Sequence, residues 1–348
     1  FYPDLPKGYQ ISQYDLPLCV DGALAVDGDN GQERRVGIIR AHLEEDAGKL
    51  GHELPGGEPY EGSLVDFNRA GAPLLEIVTA ADIDSADLAV SVGREIRNIC
   101  RFLGASIGDM QRGHMRFEPN INVHIETDDG RTHRTPIVEI KNLNSFRSLH
   151  AAVEHEYERQ VEAWRADGLE QRAGAKVTRG WDDARERTFV QRAKEDAHDY
   201  RYMPDPDLPP VRIPESWRAD LAEQMTELPR ARRHRYMEAW GLPPDSAATL
   251  TEDVELCLFF EACVEASIAV TGSAVQDAHA AKEIAKLLLN TGVKLAREAS
   301  CSIPGLGVSP EQVAGLVQLR DEGRIGSSST EPLLIAMRET DTDPETLA

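Results

Sequence analysis

The chain has 348 residues, 41% hydrophobic and 28% charged, with a formal net charge of −22 at pH 7. That length accommodates two or three domains of ordinary globular composition, and the acidity argues against a general polyanion binder while leaving room for one local nucleic-acid contact. No run of about 18 apolar residues is present, and the opening Phe1-Tyr2-Pro3-Asp4 lacks a basic start and an apolar core, so neither a membrane span nor a signal peptide is expected.

In chain order, residues 1 to about 145 read as mainly β. Residues 23–26 and 36–40 flank the turn-rich run Asp27-Gly28-Asp29-Asn30-Gly31, which predicts a hairpin. The run 73–78 (PLLEIV) reads as a buried strand carrying one acid. Leu88, Val92, Ile96 and Cys100 recur every four residues, predicting a helix over 85–103. Residues 120–126 alternate polar and apolar, turn at Asp128-Asp129-Gly130, and are expected to pair with a strand over 136–141. A long helix over 145–168 is expected to be capped by Ser145 and stopped by Gly168. The Pro-rich run 205–210 (DPDLPP) marks the best domain boundary. Beyond it, 216–241, 252–270, 273–300 and 309–323 carry helical periodicity, and the chain ends in a polar run. With no initiator Met, the chain is expected to begin inside a longer protein.

Five cysteines (Cys19, Cys100, Cys257, Cys263, Cys301) form no CxxC pair and are odd in number. This argues against a disulfide framework or zinc ribbon and fits a reducing cytoplasm. Cys257 and Cys263 fall in an apolar helical pattern and are expected in the core.

Two strands place carboxylates where carboxylates are costly. An ionised Glu76 inside an apolar strand costs several kcal/mol unless paired or metal-bound. Either it binds a cation, or it lies at a strand edge or pairs with an arginine such as Arg69. Glu139, in IVEIK at 137–141, poses the same question. In RAHLEEDAGK at 40–49, strand alternation puts Ile39, Ala41, Leu43 and Glu45 on one face, with Glu44 and Asp46 on the other. Glu45 then emerges beside apolar neighbours. Oxygen ligands from two strands suit Mg²⁺, which keeps several waters and takes one or two protein carboxylates; a solvated acidic turn is the equally weighted alternative. His42 alone is a weak ligand signal. Asp46-Ala47-Gly48-Lys49 is not a P-loop, because its first glycine would fall on Leu43 and Leu50 follows the lysine.

At these residues the chain resembles the B subunit of the glutamyl/aspartyl-tRNA amidotransferase family (GatB) over nearly its whole length. Five ordered blocks carry the likeness: 1–15 (FYPDLPKGYQISQYD), 40–49, 63–78 (SLVDFNRAGAPLLEIV), 139–146 (EIKNLNSF) and 199–208 (DYRYMPDPDL). The resemblance implies an α+β fold: a mixed-sheet cradle domain over 1–210, an all-α helical domain over 211–300, and the start of a helical tail domain over 301–348. It implies that Glu45 and Glu76 are catalytic residues holding Mg²⁺ in an ATP-dependent site. The activity it implies is transamidation of misacylated Glu-tRNA(Gln) or Asp-tRNA(Asn), through a side-chain acyl phosphate attacked by ammonia. No glutaminase nucleophile is evident, so ammonia is expected from an amidase A subunit, with a small C subunit completing a cytoplasmic heterotrimer; neither DNA nor a membrane is an expected partner.

Departures from the family pattern are expected to matter. The family's N-terminal strand, which brings another acid and a His to the metal site, and the last part of the tail are not in this sequence. Glu118 and Pro119 stand where the family has a shorter acid and a small residue, and the loop 50–62 is longer than usual. Activity in isolation is therefore in question. The competing reading is a non-catalytic tRNA-binding or assembly module. Its best feature is the basic run Arg230, Arg232, Arg233 and Arg235, read either as an RNA contact or as a solvated helix face pairing with acids such as Glu227 and Glu238. A carboxylate-metal hydrolase is a third reading without matching motif order. The choice between Gln and Asn tRNA is not legible in the sequence.

Overall fold

The computed structural model describes residues 3–28, 31–172, 176–194, 205–271 and 274–348. The first two residues of the 1–15 block and residues 199–204 of the 199–208 block lie outside them. The architecture is α+β. Strands are β1 (Cys19–Asp27), β2 (Glu33–Glu45), β3 (Lys49–Glu53), β4 (Pro59–Asp66) and β5 (Pro73–Thr79), followed by helix α1 (Ala86–Phe102). Next come β6 (Asn120–Ile121), β7 (His124–Glu126), β8 (Thr132–Arg134), β9 (Ile137–Lys141), α2 (Phe146–Asp167), β10 (Lys176–Asp182) and β11 (Arg187–Lys194). The rest is helical: α3 (Glu215–Gln224), α4 (Pro229–Trp240), α5 (Pro244–Leu250), α6 (Val254–Thr271), α7 (Ala274–Leu287), α8 (Val293–Ala299), α9 (Pro310–Asp321), α10 (Ser327–Thr340) and α11 (Pro344–Leu347). Among the described residues no helix is long and apolar enough to cross a membrane.

Two compact units result. One comprises Phe1–Arg94 with Asp109–Asp220, the other Glu95–Gly108 with Leu221–Ala348. In the first, the predicted hairpin forms: β1 and β2 pair antiparallel from Cys19 opposite Ala41 to Asp27 opposite Glu33. β2 also pairs antiparallel with β5, so β2 is the central strand of the order β1-β2-β5. This corrects the expectation of a buried strand over 73–78. β5 is an edge strand, and Leu74 and Leu75 are exposed. A second sheet has the order β11-β10-β9-β6, with β9 and β10 parallel. A parallel pair needs a long crossover, and α2 supplies it. Ser145 caps α2 by accepting from Ser148 N–H, and Gly168 ends it in the left-handed region at φ 65°. Val138, Ile140, Leu143, Leu149, Ala152 and Trp181 form the core between this sheet and α2.

The expected strand over 120–126 breaks in two. Its first part, β6, pairs antiparallel with β9 as expected, Asn120 opposite Glu139 and Ile121 opposite Val138, while β7 pairs instead with β8, a strand over 132–134. The break is held by Thr135, whose Oγ1 accepts from Val123 N–H at 2.7 Å and whose own N–H donates to Val123 C=O at 3.0 Å.

In the second unit the expected helix over 216–241 is two helices. Pro229 at the start of α4 has no N–H to donate and forces Leu228 into an extended conformation (φ −74°, ψ 157°). The expected polar ending also contains helices, α10 and α11, despite Pro332 inside α10. Leu334 and Met337 of α10 join Tyr236, Phe260, Ile284 and Leu316 in one apolar core. Residues of the expected tail over 301–348 therefore share a core with α4 to α8.

Candidate functional site

The chemistry gathers on the second half of β2. Along a strand, alternate side chains share a face, so Arg40, His42 and Glu44 point one way and Leu43 and Glu45 the other. The register sets His42 directly opposite Glu76 of β5. His42 is fully buried, and its Nε2 lies 3.0 Å from Glu44 Oε1 and 3.4 Å from Glu76 Oε2. The three side chains offer ligand atoms that all lie within 4.8 Å of one another.

Glu44 is held firmly. Its side chain is 13% exposed, Ser12 Oγ–H donates to its Oε1 at 2.6 Å, and Gln10 Nε2 donates to its Oε2 at 3.4 Å. Glu76 is 46% exposed, with His42 Nε2 3.4 Å from its Oε2. His42 Nδ1 is buried with no hydrogen-bond partner among the described residues. A buried imidazole is thus aimed by its other nitrogen at two converging carboxylates.

Glu45 lies on the opposite face. Lys7 Nζ pairs with its Oε2 at 2.7 Å, and Ile11 N–H donates to its Oε1 at 3.3 Å. Gln13 N–H donates to Leu43 C=O and Glu45 N–H to Ile11 C=O, so residues 10–13 run along the end of β2. The geometry therefore joins Glu76 to Glu44, and Glu45 to the segment that carries Gln10 and Ser12. Next to it, Tyr9 O–H donates to Asp205 Oδ2 at 2.8 Å. That bond raises the Tyr9 pKa and lowers that of Asp205.

The loop after β2 is pinned by backbone. Asp46 N–H donates to Ala72 C=O, Gly71 N–H to Asp46 C=O, and Gly48 N–H to Asp4 C=O at 2.7 Å. A Cβ on Gly48 would sit 2.8 Å from Asp4 C=O and 3.0 Å from Asp66 C=O, so only glycine fits. Arg69, offered above as a partner for Glu76, instead donates to Ala47 C=O and lies 3.8 Å from Asp46.

Glu139 is answered differently. It is buried on β9 and receives Lys176 Nζ and Thr178 Oγ1, each at 3.1 Å. An ion pair plus a hydroxyl satisfies it without a metal.

The basic run on α4 turns inward. Arg232 is buried and pairs with Glu261 and Glu227; Arg235 pairs with Glu227 at 2.6 Å and with Glu261; Arg233 pairs with buried Glu95. Glu227 is the acid anticipated for these arginines; Glu261 and Glu95, more distant in sequence, are the ones not foreseen. Tyr236 O–H also donates to Glu261 at 2.8 Å. Burial, first, and the neighbouring Cys257 and Glu261 then hold the Tyr236 pKa far above its usual value. Cys257 and Cys263 are buried, as their pattern predicts.

Sequence reasoning weighed His42 as a weak ligand signal and set Glu44 on the face opposite Glu45, without joining the two. The signal was present as His-x-Glu, two polar residues two apart on a strand and therefore on one face.

The GatB/GatE catalytic domain family matches residues 1–219. The chain is 46% identical over 347 residues to the B subunit of an aspartyl/glutamyl-tRNA(Asn/Gln) amidotransferase from Thermomicrobium roseum, covering 99% of the chain and 68% of that protein. It is 40% identical over 330 residues to the protein of that description from Rhodopirellula baltica, covering 94% and 64%. The Thermotoga maritima protein is 40% identical over 341 residues, covering 98% and 67%. The chain thus spans about two thirds of the length of these relatives.

Proposed function

The chain belongs to the GatB family of aspartyl/glutamyl-tRNA(Asn/Gln) amidotransferase B subunits, and on that premise we propose that it carries the ATP-dependent activation site of a tRNA-dependent transamidation. In this reading the substrate is the side-chain carboxylate of Glu or Asp wrongly attached to tRNA(Gln) or tRNA(Asn). A carboxylate oxygen attacks the terminal phosphorus of ATP and ADP departs. Ammonia then attacks the acyl carbon and phosphate leaves, giving the amide after loss of a proton. The ammonia comes from a partner amidase, and a small third protein braces the pair in the cytoplasm.

The observation that carries the proposal is the convergence of Glu44, Glu76 and buried His42. Two carboxylates this close repel unless a cation separates them, and His42 Nε2 lies within reach of both, so one ion could take a ligand atom from each of the three side chains. The donor set fits Mg²⁺ through its oxygens, with the imidazole admitting other divalent ions. Glu44, Glu76 and His42 are the residues that would hold it. When bound, the ion supplies neutralisation of phosphate charge. Ser12 and Gln10 keep Glu44 aimed; Glu45, through Lys7 and Ile11, keeps the Ser12 segment on the strand.

The test is an ATP-dependent transamidation assay on both misacylated tRNAs with the partner proteins present. Glu76→Gln is expected to abolish product while glutamine hydrolysis by the partner survives in part. Normal transamidation by this variant would refute the site.

A further inference from the structure

Arg40 stands two residues before His42 on the same face of β2, and the fold leaves its charge unused. Its guanidinium lies 4.4 Å from the centre of the Tyr14 ring. Tyr14 also meets His42 edge-on, with ring centres 6.2 Å apart. Among the described residues Arg40 forms no ion pair and no hydrogen bond, and its Nε is buried without a partner. In a chain with a net charge of −22, carboxylates are abundant, and Arg232, Arg233 and Arg235 are all paired with them. Arg40 instead packs against the Tyr14 ring, which in turn meets His42, the neighbour of Glu44 and Glu76. Its cross-strand neighbours are Val20 on β1 and Val78 on β5, neither of which can accept a hydrogen bond from its side chain.

Such an arrangement suits one class of ligand. A guanidinium presents N–H donors in a planar fork that matches the oxygens of a phosphate. Stacking on Tyr14 fixes the plane of the fork before a ligand arrives, which removes part of the ordering cost of binding. A phosphate chain lying across Tyr14 would meet donors at one end and the carboxylate group at the other. We propose that Arg40, oriented by Tyr14, binds the terminal phosphates of the nucleotide at this site. The proposal rests on the reading of the carboxylate group given above and adds to it a binding residue and the aromatic ring that orients it.

The experiment measures binding to the 348-residue chain by titration calorimetry, with ATP, AMP, an unacylated tRNA and Mn²⁺ as separate probes, for the unaltered chain, Arg40→Met and Arg40→Lys. Methionine keeps an apolar stem against Tyr14, and lysine keeps the charge without the fork; circular dichroism confirms that both variants fold. ATP affinity is expected to fall at least about tenfold in Arg40→Met, the scale of a lost charge-assisted hydrogen bond, and by less in Arg40→Lys. AMP, tRNA and Mn²⁺ binding are expected to be unchanged. Equal ATP affinity in all three chains, or no ATP binding by the unaltered chain, would overturn the phosphate role. Weakening of tRNA alone would overturn the nucleotide as the source of the phosphate. A loss of ATP affinity in Arg40→Met together with no Mn²⁺ binding by the unaltered chain would fault the metal reading and leave Arg40 in place.

Discussion

Replacing Glu261 with Gln tests whether the basic run on α4 is internal structure or surface. Glu261 accepts from Arg232, Arg235 and Tyr236. The Arg232 side chain is 8% exposed and that of Glu261 16%, so little water is available to replace the lost partner. Breaking a buried ion pair from one side costs about 3–5 kcal/mol. Arg235 is 38% exposed and keeps Glu227, so its share is screened and adds about 0–1 kcal/mol. Gln retains the shape and one acceptor oxygen for Tyr236, and Arg232 keeps the Glu227 carboxylate at 3.9 Å, Glu227 C=O and Thr226 Oγ1, which puts the expected loss at the lower end, roughly 3 kcal/mol. Arg232→Met is expected to cost less than Glu261→Gln, because Glu261 would retain Arg235 and Tyr236 while Met fills the stem volume. The two changes together should couple by about 1–3 kcal/mol. Urea unfolding at neutral pH, followed by tryptophan fluorescence, reads this directly, since Trp240 stacks on Tyr236 at 5.1 Å. A Glu261→Gln chain within about 1 kcal/mol of the unaltered one would refute the internal role, given the cost expected when a buried arginine loses one of its charged partners. So would an Arg232→Ala/Arg233→Ala chain of full stability that had lost tRNA affinity.

Three further outcomes are expected. Gly48→Ala places a methyl against the Asp4 and Asp66 carbonyls and should cost about 1–3 kcal/mol by overpacking, with faster proteolysis of the segment before residue 13; an unchanged unfolding midpoint would show that the loop yields. The Asp129 carboxyl is held down to about 2 by Arg131, then Thr127. Because folding favours its ionised form, whatever it contributes is complete above its ordinary value of 3.8 and lost as pH falls through about 2; NMR titration of Arg131→Ala should show the midpoint rise toward 3.8, and a midpoint that stays put would refute the pairing. Native thiol titration should find Cys19 and Cys301 reactive and Cys100, Cys257 and Cys263 protected until unfolding; burial also raises the Cys257 and Cys263 pKa values, reducing thiolate.

Elements governed by local chemistry were legible in the sequence. The β1–β2 hairpin, α1 and α2 each carry their own turn, period or cap. Ser145 and Gly168 delimit α2 because capping needs only neighbours in the chain. Pairing between strands was legible only in part. The antiparallel pairing of β6 with β9 was legible, but nothing within 120–141 states that β7 will leave it for β8 or that β9 will take β10, about 40 residues on, as its parallel partner. Long-range ion pairs were equally hidden. Arg233 with Glu95 and Arg232 with Glu261 join residues far apart in sequence, so a basic run read alone looks like a surface.

The carboxylate site shows where alternation stops being informative. Parity along β2 was correctly read: Glu44 and Glu45 do face opposite ways. What parity cannot say is which face carries the chemistry. Alternation sets Glu45 beside the apolar Ile39 and Leu43, and its place in the metal site is what the family resemblance implies. In the fold Ile39 and Leu43 are exposed, and the fully buried side chain on this half of the strand is His42, on the other face. Burying an imidazole next to two carboxylates is costly without a compensating charge or bond. Glu76 also drew attention for a reason that does not hold, its supposed burial; it lies on an edge strand and is 46% exposed. Its significance comes from standing opposite His42. A register between strands about 30 residues apart in the chain, not the hydropathy of either strand, brings Glu76 to Glu44, and the accessibility of Glu76 is what a substrate carboxylate or a hydrated cation would need in order to reach the group.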